Sequence, residues 1–119
     1  GAYAEPPEVA VQRKSEVDTR FDHLLGILMA AESTMPAVAT HDDQRISLTR
    51  YLATTRTAPW EFQMLYGVRT GLQRELVAAG HPLRIYVPYG DAWYPYLTRR
   101  LAERPANVGF FLRAALSHS

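Results

Sequence analysis

Residues 93–107, Trp93-Tyr94-Pro95-Tyr96-Leu97-Thr98-Arg99-Arg100-Leu101-Ala102-Glu103-Arg104-Pro105-Ala106-Asn107, carry the strongest chemical signal in the chain. Two adjacent arginines follow an aromatic by three and four positions, and Glu103 follows the arginines at the same spacings. On a helix, Tyr96, Arg99, Arg100 and Glu103 share one side, because residues three and four apart are neighbours. A guanidinium is a planar fork that matches a carboxylate two bonds at a time. Two such forks beside an aromatic ring make a receptor for a small anionic metabolite. The same spacing also describes a solvated helix face with an Arg–Glu pair, which stabilises little.

These residues need elements to hold them, and the pattern around them alternates helix and strand. After Gly1-Ala2-Tyr3, the Glu5-Pro6-Pro7 stretch is a loop. Ser15 with Asp18 predicts a helix start, and Val17, Phe21, Leu24, Leu25 and Leu28 then recur at helical spacing. Residues 35–40, Met-Pro-Ala-Val-Ala-Thr, are short and apolar and predict a buried strand. Asp42 or Asp43 caps a helix bearing Ile46, Leu48, Tyr51 and Leu52, and Pro59 follows its end.

Glu61 to Leu65 predicts the next strand. Thr70 with Gln73 predicts another capping box, and Gly80 the left-handed end of that helix. Leu83 to Val87 alternates as a strand does, and Asp91 caps the helix that bears the arginines. That helix must stop before Pro105. Asn107 caps a last short helix with Phe110, Phe111, Leu112 and Leu116. Strands that alternate with helices of this length imply right-handed βα units and a parallel sheet.

Composition bounds the partners. The chain has 119 residues, 47% hydrophobic and 21% charged, with a formal net charge of +1, the balance of one globular core. Near-zero net charge argues against a nucleic-acid binder, which needs clustered cations. No apolar stretch approaches the roughly 20 residues that span a bilayer, and nothing at the start reads as a signal peptide, so a cytoplasmic location is expected. With Cys 0 there is no disulfide, thiolate nucleophile or Cys-ligated metal. His23, His41, His81 and His118 show no metal-ligand spacing. Gly67-x-x-x-Gly71 lacks the Lys-Ser/Thr of a phosphate loop.

The ordered series Gly1-Ala2-Tyr3, Ala39-Thr40-His41-Asp42, Glu61-Phe62-Gln63-Met64-Leu65-Tyr66-Gly67, Leu83-Arg84-Ile85-Tyr86-Val87-Pro88-Tyr89-Gly90 and Tyr96-x-x-Arg99-Arg100-x-x-Glu103-x-x-x-Asn107 resembles the C-terminal half of the flavin-dependent proline dehydrogenase barrel. The last motif is its most specific piece, and the resemblance covers essentially the whole chain. It implies an α/β fold, a (β/α)8 TIM-barrel-like domain of which residues 1–119 are the C-terminal half only, about strands 6–8 and helices 5–8. Such barrels typically need about 250 residues.

The activity implied is oxidation of L-proline to Δ1-pyrroline-5-carboxylate, with a hydride passed to FAD and electrons then to a membrane quinone. A peripheral association of the parent enzyme with the inner face of the membrane goes with that acceptor. Arg99 and Arg100 match the pair that holds the substrate carboxylate. Tyr86, Tyr96 and Leu65 match side chains packed around the pyrrolidine ring. Gly1 and Ala2 match the end of a flavin-contacting Lys-Gly-Ala segment, and Thr40 and His41 a Thr-His pair that also touches the flavin.

The family's lysine, arginine and aspartate from the first half of the barrel have no counterpart here, so no residue of this chain is assigned a catalytic role and the missing N-terminal half becomes an expected partner. Two rival readings remain: a non-catalytic half-barrel module that associates with a complementary chain, and another (β/α)8 enzyme using the arginines for a phosphate or carboxylate.

Overall fold

Alternation along Glu61–Leu65 decides the architecture. Successive strand residues point to opposite faces, so Phe62 and Met64 share one face while Glu61, Gln63 and Leu65 share the other. Phe62 and Met64 are buried among Leu25, Met29, Val38, Ile46 and Leu76, which form the core. Helices therefore cover the Phe62 face. The computed structural model describes residues 5–102, the side chains at 97 and 100–102 excepted. In chain order the elements are α1 (Lys14–Ala30), β1 (Ala37–Ala39), α2 (Asp43–Ala53), β2 (Glu61–Leu65), α3 (Thr70–Ala78), β3 (Leu83–Tyr86) and α4 (Trp93–Ala102).

The three strands form one parallel sheet in the order β1-β2-β3. Ala39 pairs with Gln63, Gln63 with Arg84, and Leu65 with Tyr86. The face away from the helices thus carries Ala37, Ala39, Glu61, Gln63, Leu65, Arg84 and Tyr86. Its floor is polar. Arg84 forks onto Glu61 through Nε and Nη2 at 2.6 and 2.8 Å, and Gln63 donates to the same carboxylate at 2.8 Å. Arg84 first, then Gln63, holds the Glu61 carboxyl below the usual carboxylate range.

Other arginines fasten helices to their neighbours. Arg45, nearly buried on α2, donates to both oxygens of Asp22 on α1 at 2.9 and 2.7 Å. Arg56 donates to the carbonyls of Met29 and Ala31, satisfying acceptors that the end of α1 leaves over. Glu32 receives the Thr57 hydroxyl and the amides of Thr57 and Ala58, which pins the loop before β2.

Several expectations are met and several corrected. Asp42 caps α2, accepting from the amides of Gln44 and Arg45. Gly80, at φ +82, closes α3 in a Schellman arrangement, with Gly80 N–H bonded to Val77 O and His81 N–H to Leu76 O. The Ser15–Asp18 cap does not form: α1 begins at Lys14 after Arg13, and Lys14 pairs with Asp18 one turn on. Nor does Thr70–Gln73, because Gln73 Nε2 instead donates to the carbonyls of Leu65 and Val68. Tyr96 N–H bonds to Ala92 O, so Ala92 rather than Asp91 precedes α4.

The apolar stripe expected on α1 is met in part, with Leu25 in the core and Phe21 packed against it. Leu25 and Met29 face the core, whereas Val17, Leu24 and Leu28 are exposed. Met35 and Tyr51 are also exposed, so the first strand is shorter than expected and α2 turns Ile46 and Thr49 inward. The last predicted helix, from Asn107 onward, lies outside the described residues.

Candidate functional site

Because the strands are parallel, all their C-terminal ends lie on one edge, where βα loops present side chains. His41, Leu65 and Tyr86 come together there. Along β2 the amides of odd-numbered residues serve β1: Glu61 N–H bonds to Pro36 O. Continued by two, that ladder would have Leu65 N–H bond to Thr40 O. Instead β1 turns away, and His41 Nε2 accepts from Leu65 N–H at 3.1 Å. The imidazole takes the place of a backbone acceptor, which requires an unprotonated Nε2. On the other side, Tyr66 N–H bonds to Tyr86 O at 2.9 Å and carries the β2–β3 ladder to the rim.

Above this row stands α4. The rings of Tyr86 and Tyr96 are 5.7 Å apart and tilted by 40°, a packed aromatic pair. Arg99 and Arg100 follow Tyr96 on α4 at i+3 and i+4, and Arg99 is exposed. The side chain of Arg100 and all of Gly1 and Ala2 lie outside the described residues, as does Glu103. Thr40 is 6% exposed. Its parity with Val38 turns it toward the helices, and its hydroxyl accepts from Asp42 N–H at 3.1 Å. Thr40 thus shapes the turn that carries His41.

Sequence reasoning missed Arg69. It precedes α3 in the left-handed conformation, φ 53 and ψ 48, which costs a side-chain-bearing residue about 1–2 kcal/mol. Its guanidinium donates to His41 O and to Asp43 Oδ1, both at 2.6 Å. No local pattern announces a partner 28 residues away. The Glu61–Gln63–Arg84 floor was also missed, although polar residues at alternate positions of otherwise apolar strands were a readable sign of it.

The arrangement can hold a flat, partly apolar ligand on the row His41–Leu65–Tyr86, with α4 meeting the row at Tyr86. The hollow formed by Pro88, Tyr89, Gly90, Asp91 and Trp93 lies in the β3–α4 loop next to this row and does not include it. The site is an open sheet face rather than an enclosed cavity. Among the described residues, no cluster of three or more His, Asp or Glu could hold a metal ion, and no helix is long and apolar enough to cross a membrane.

Parallel βα units with His41, Leu65 and Tyr86 gathered at the C-terminal ends of the strands define an α/β protein. The chain belongs to the proline dehydrogenase family, whose model matches residues 4–113. It is 44% identical over 119 residues to proline dehydrogenase 1 of Bacillus subtilis, covering 98% of this chain and 39% of that protein. Against the proline dehydrogenase of Deinococcus radiodurans the identity is 40%, with 98% and 38% covered. A bifunctional protein PutA of Salmonella typhimurium is 37% identical over 90 residues, 67% of this chain and 7% of its own length. The chain therefore spans about two fifths of the first two relatives.

Proposed function

We infer that residues 1–119 are one part of a (β/α)8 barrel domain, its C-terminal half, and that the whole oxidises L-proline to Δ1-pyrroline-5-carboxylate with FAD. One observation carries this reading: the row His41–Leu65–Tyr86 packs, through Tyr86, against Tyr96 on the helix that bears Arg99 and Arg100. The half-barrel part rests on the partly uncovered sheet face. Parallel sheets have both faces covered, and here the second face meets α4 at Tyr86 but leaves Ala37 and Ala39 exposed, while the outer edges of β1 and β3 have no neighbouring strand among the described residues.

The residues present fit a flavin. On the β1 side of the row Ala37 and Ala39 are exposed and β1 has no outer neighbouring strand among the described residues, which leaves room beside His41 for a flat ring system. His41, the main chain of Thr40, and Gly1 with Ala2 would hold it. Held there, a flavin would supply the hydride acceptor that oxidation of proline requires. Arg99 and Arg100 hold the substrate carboxylate, while Leu65, Tyr86 and Tyr96 wall the ring and exclude water, so that the carbon bearing the hydride is fixed before reaction. Onward transfer to a quinone at the inner face of the membrane belongs to the same reading.

The test uses the full-length protein containing this chain. Purified, it should be yellow, bleach when proline is added and reduce a dye only with proline present. Prolinol, which lacks the carboxylate, should be inert. A colourless protein, or one equally reduced by prolinol, overturns the reading.

A further inference from the structure

We propose that Arg69 is a positioning residue that fixes His41 against Leu65, and so sets the cofactor-facing turn in register with the substrate wall. His41 is held at two points by one short segment. Its imidazole receives Leu65 N–H at 3.1 Å, and its carbonyl receives Arg69 Nη1 at 2.6 Å. Nη2 of the same guanidinium reaches Asp43 Oδ1 at 2.6 Å. The fork therefore grips the turn on both sides of Asp42, the residue that caps α2.

The segment doing the holding is itself rigid. Gly67 adopts φ +74, Val68 is 1% exposed and donates to Leu65 O, and Gln73 Nε2 ties the carbonyls of Leu65 and Val68 to α3. Arg69 then occupies a backbone conformation that glycine adopts without strain. A long side chain there must be compensated, and the two contacts supply the compensation. Lysine offers a single ammonium on a flexible stem and does not reproduce the rigid two-nitrogen fork that reaches both acceptors here.

This inference rests on the flavin-dependent reading. His41 is there a cofactor contact and Leu65 a substrate contact, so a clamp between their loops governs how the two ligands meet. The carboxylate-holding arginines sit on α4, whose Tyr96 meets the row at Tyr86 on β3, two strands across the sheet from His41. Loss of Arg69 should therefore disturb the flavin and the chemical step more than the apparent affinity for proline.

Arg69→Met, Arg69→Lys and Arg69→Gly are compared with wild type in the full-length protein containing this chain. FAD affinity is read by titrating flavin-stripped protein, and backbone amide exchange over residues 40–45 is read on the same stripped protein. In Arg69→Met and Arg69→Gly, exchange over 40–45 should quicken and FAD bind more weakly. Their kcat should fall about tenfold with KM for proline within about twofold, as expected for a misplaced reacting group. Arg69→Lys should lie between.

The glycine variant separates positioning from stability, because it relieves the strained backbone while removing the clamp. Activity recovered in Arg69→Gly overturns the proposal. So does unchanged exchange with unchanged FAD affinity, or a KM that rises in step with the fall in kcat. Wild-type protein that neither binds FAD nor oxidises proline overturns the functional reading and this inference together, whereas a working wild type matched by its variants overturns this inference alone.

Discussion

At the scale of single residues, the candidate site divides into groups that the sequence singles out and groups whose partners it hides. The arginine pair, Tyr86, Tyr96 and His41 stand out by residue type and by the family motif they match, and the structure pairs Tyr86 with Tyr96 and ties His41 to Leu65. Arg45, Arg56, Arg69 and Arg84 do not stand out, because each finds its main partner more than 20 residues away. From sequence they read as surface charge interspersed with Asp and Glu.

Two predictions belong here. In the full-length protein, Arg99→Met or Arg100→Met should lose about 1.5–3 kcal/mol of charge-assisted bonding, or roughly ten- to a hundredfold in apparent affinity. The rise should appear in KM for proline with FAD still bound, and an unaltered KM in both variants would refute the assignment. Tyr86→Ser should weaken proline use far more than hydroxyproline use, because losing the ring opens space beside the substrate's. Equal loss of kcat/KM for the two substrates would count against it.

At the scale of elements, strand and helix order followed from periodicity alone, and the bounds of Glu61–Leu65 were met at both ends. The Gly80 terminus was legible because few residues but glycine accept its φ. The Thr70 cap failed because Gln73 goes to the better partners Leu65 O and Val68 O, and the Ser15 cap because α1 already begins at Lys14, which pairs with Asp18. The α3–β3 connection also makes stability depend on pH. His81 packs edge-on against Phe62 and near Trp60, each ring 5.9 Å away, and burial, then Arg50, holds its pKa below the ordinary 6.5. The unfolded chain therefore binds a proton at higher pH than the folded one, so this contribution is present above 6.5 and is lost as pH falls through the folded value. Glu61, also depressed, keeps its contribution down to the ordinary 4.5 and loses it below. In thermal melts of the full-length protein, wild type should be less stable at about pH 5.5 than at about pH 7.5. His81→Phe should flatten that interval while leaving the decline at lower pH. A wild-type midpoint that does not change over the interval would refute the role given to His81.

At the scale of the whole molecule, one sheet face packs and the other is covered only in part. Phe62 and Met64 are sealed under helices, while Ala37, Ala39 and Tyr86 are exposed on the opposite face. The edges of β1 and β3 have no neighbouring strand among the described residues, and α1 exposes Val17, Leu24, Ile27 and Leu28 along a side that its own core does not use. Surfaces of this kind invite strand pairing and helix docking. A small parallel sheet with one partly bare face also buries too little for robust stability. The flavin, in turn, would rest on residues from both parts of the barrel, and only Gly1, Ala2, Thr40 and His41 of the matched contacts are in this chain. Expressed alone with FAD added, the 119-residue chain should elute from gel filtration as dimers or larger species, without the flavin's absorbance and without proline-dependent dye reduction. Adding the N-terminal part of the barrel as a second polypeptide should shift it to a defined complex that retains FAD. A yellow, monomeric, active 119-residue chain would show that the uncovered face needs no partner, and the half-barrel reading would fall with it.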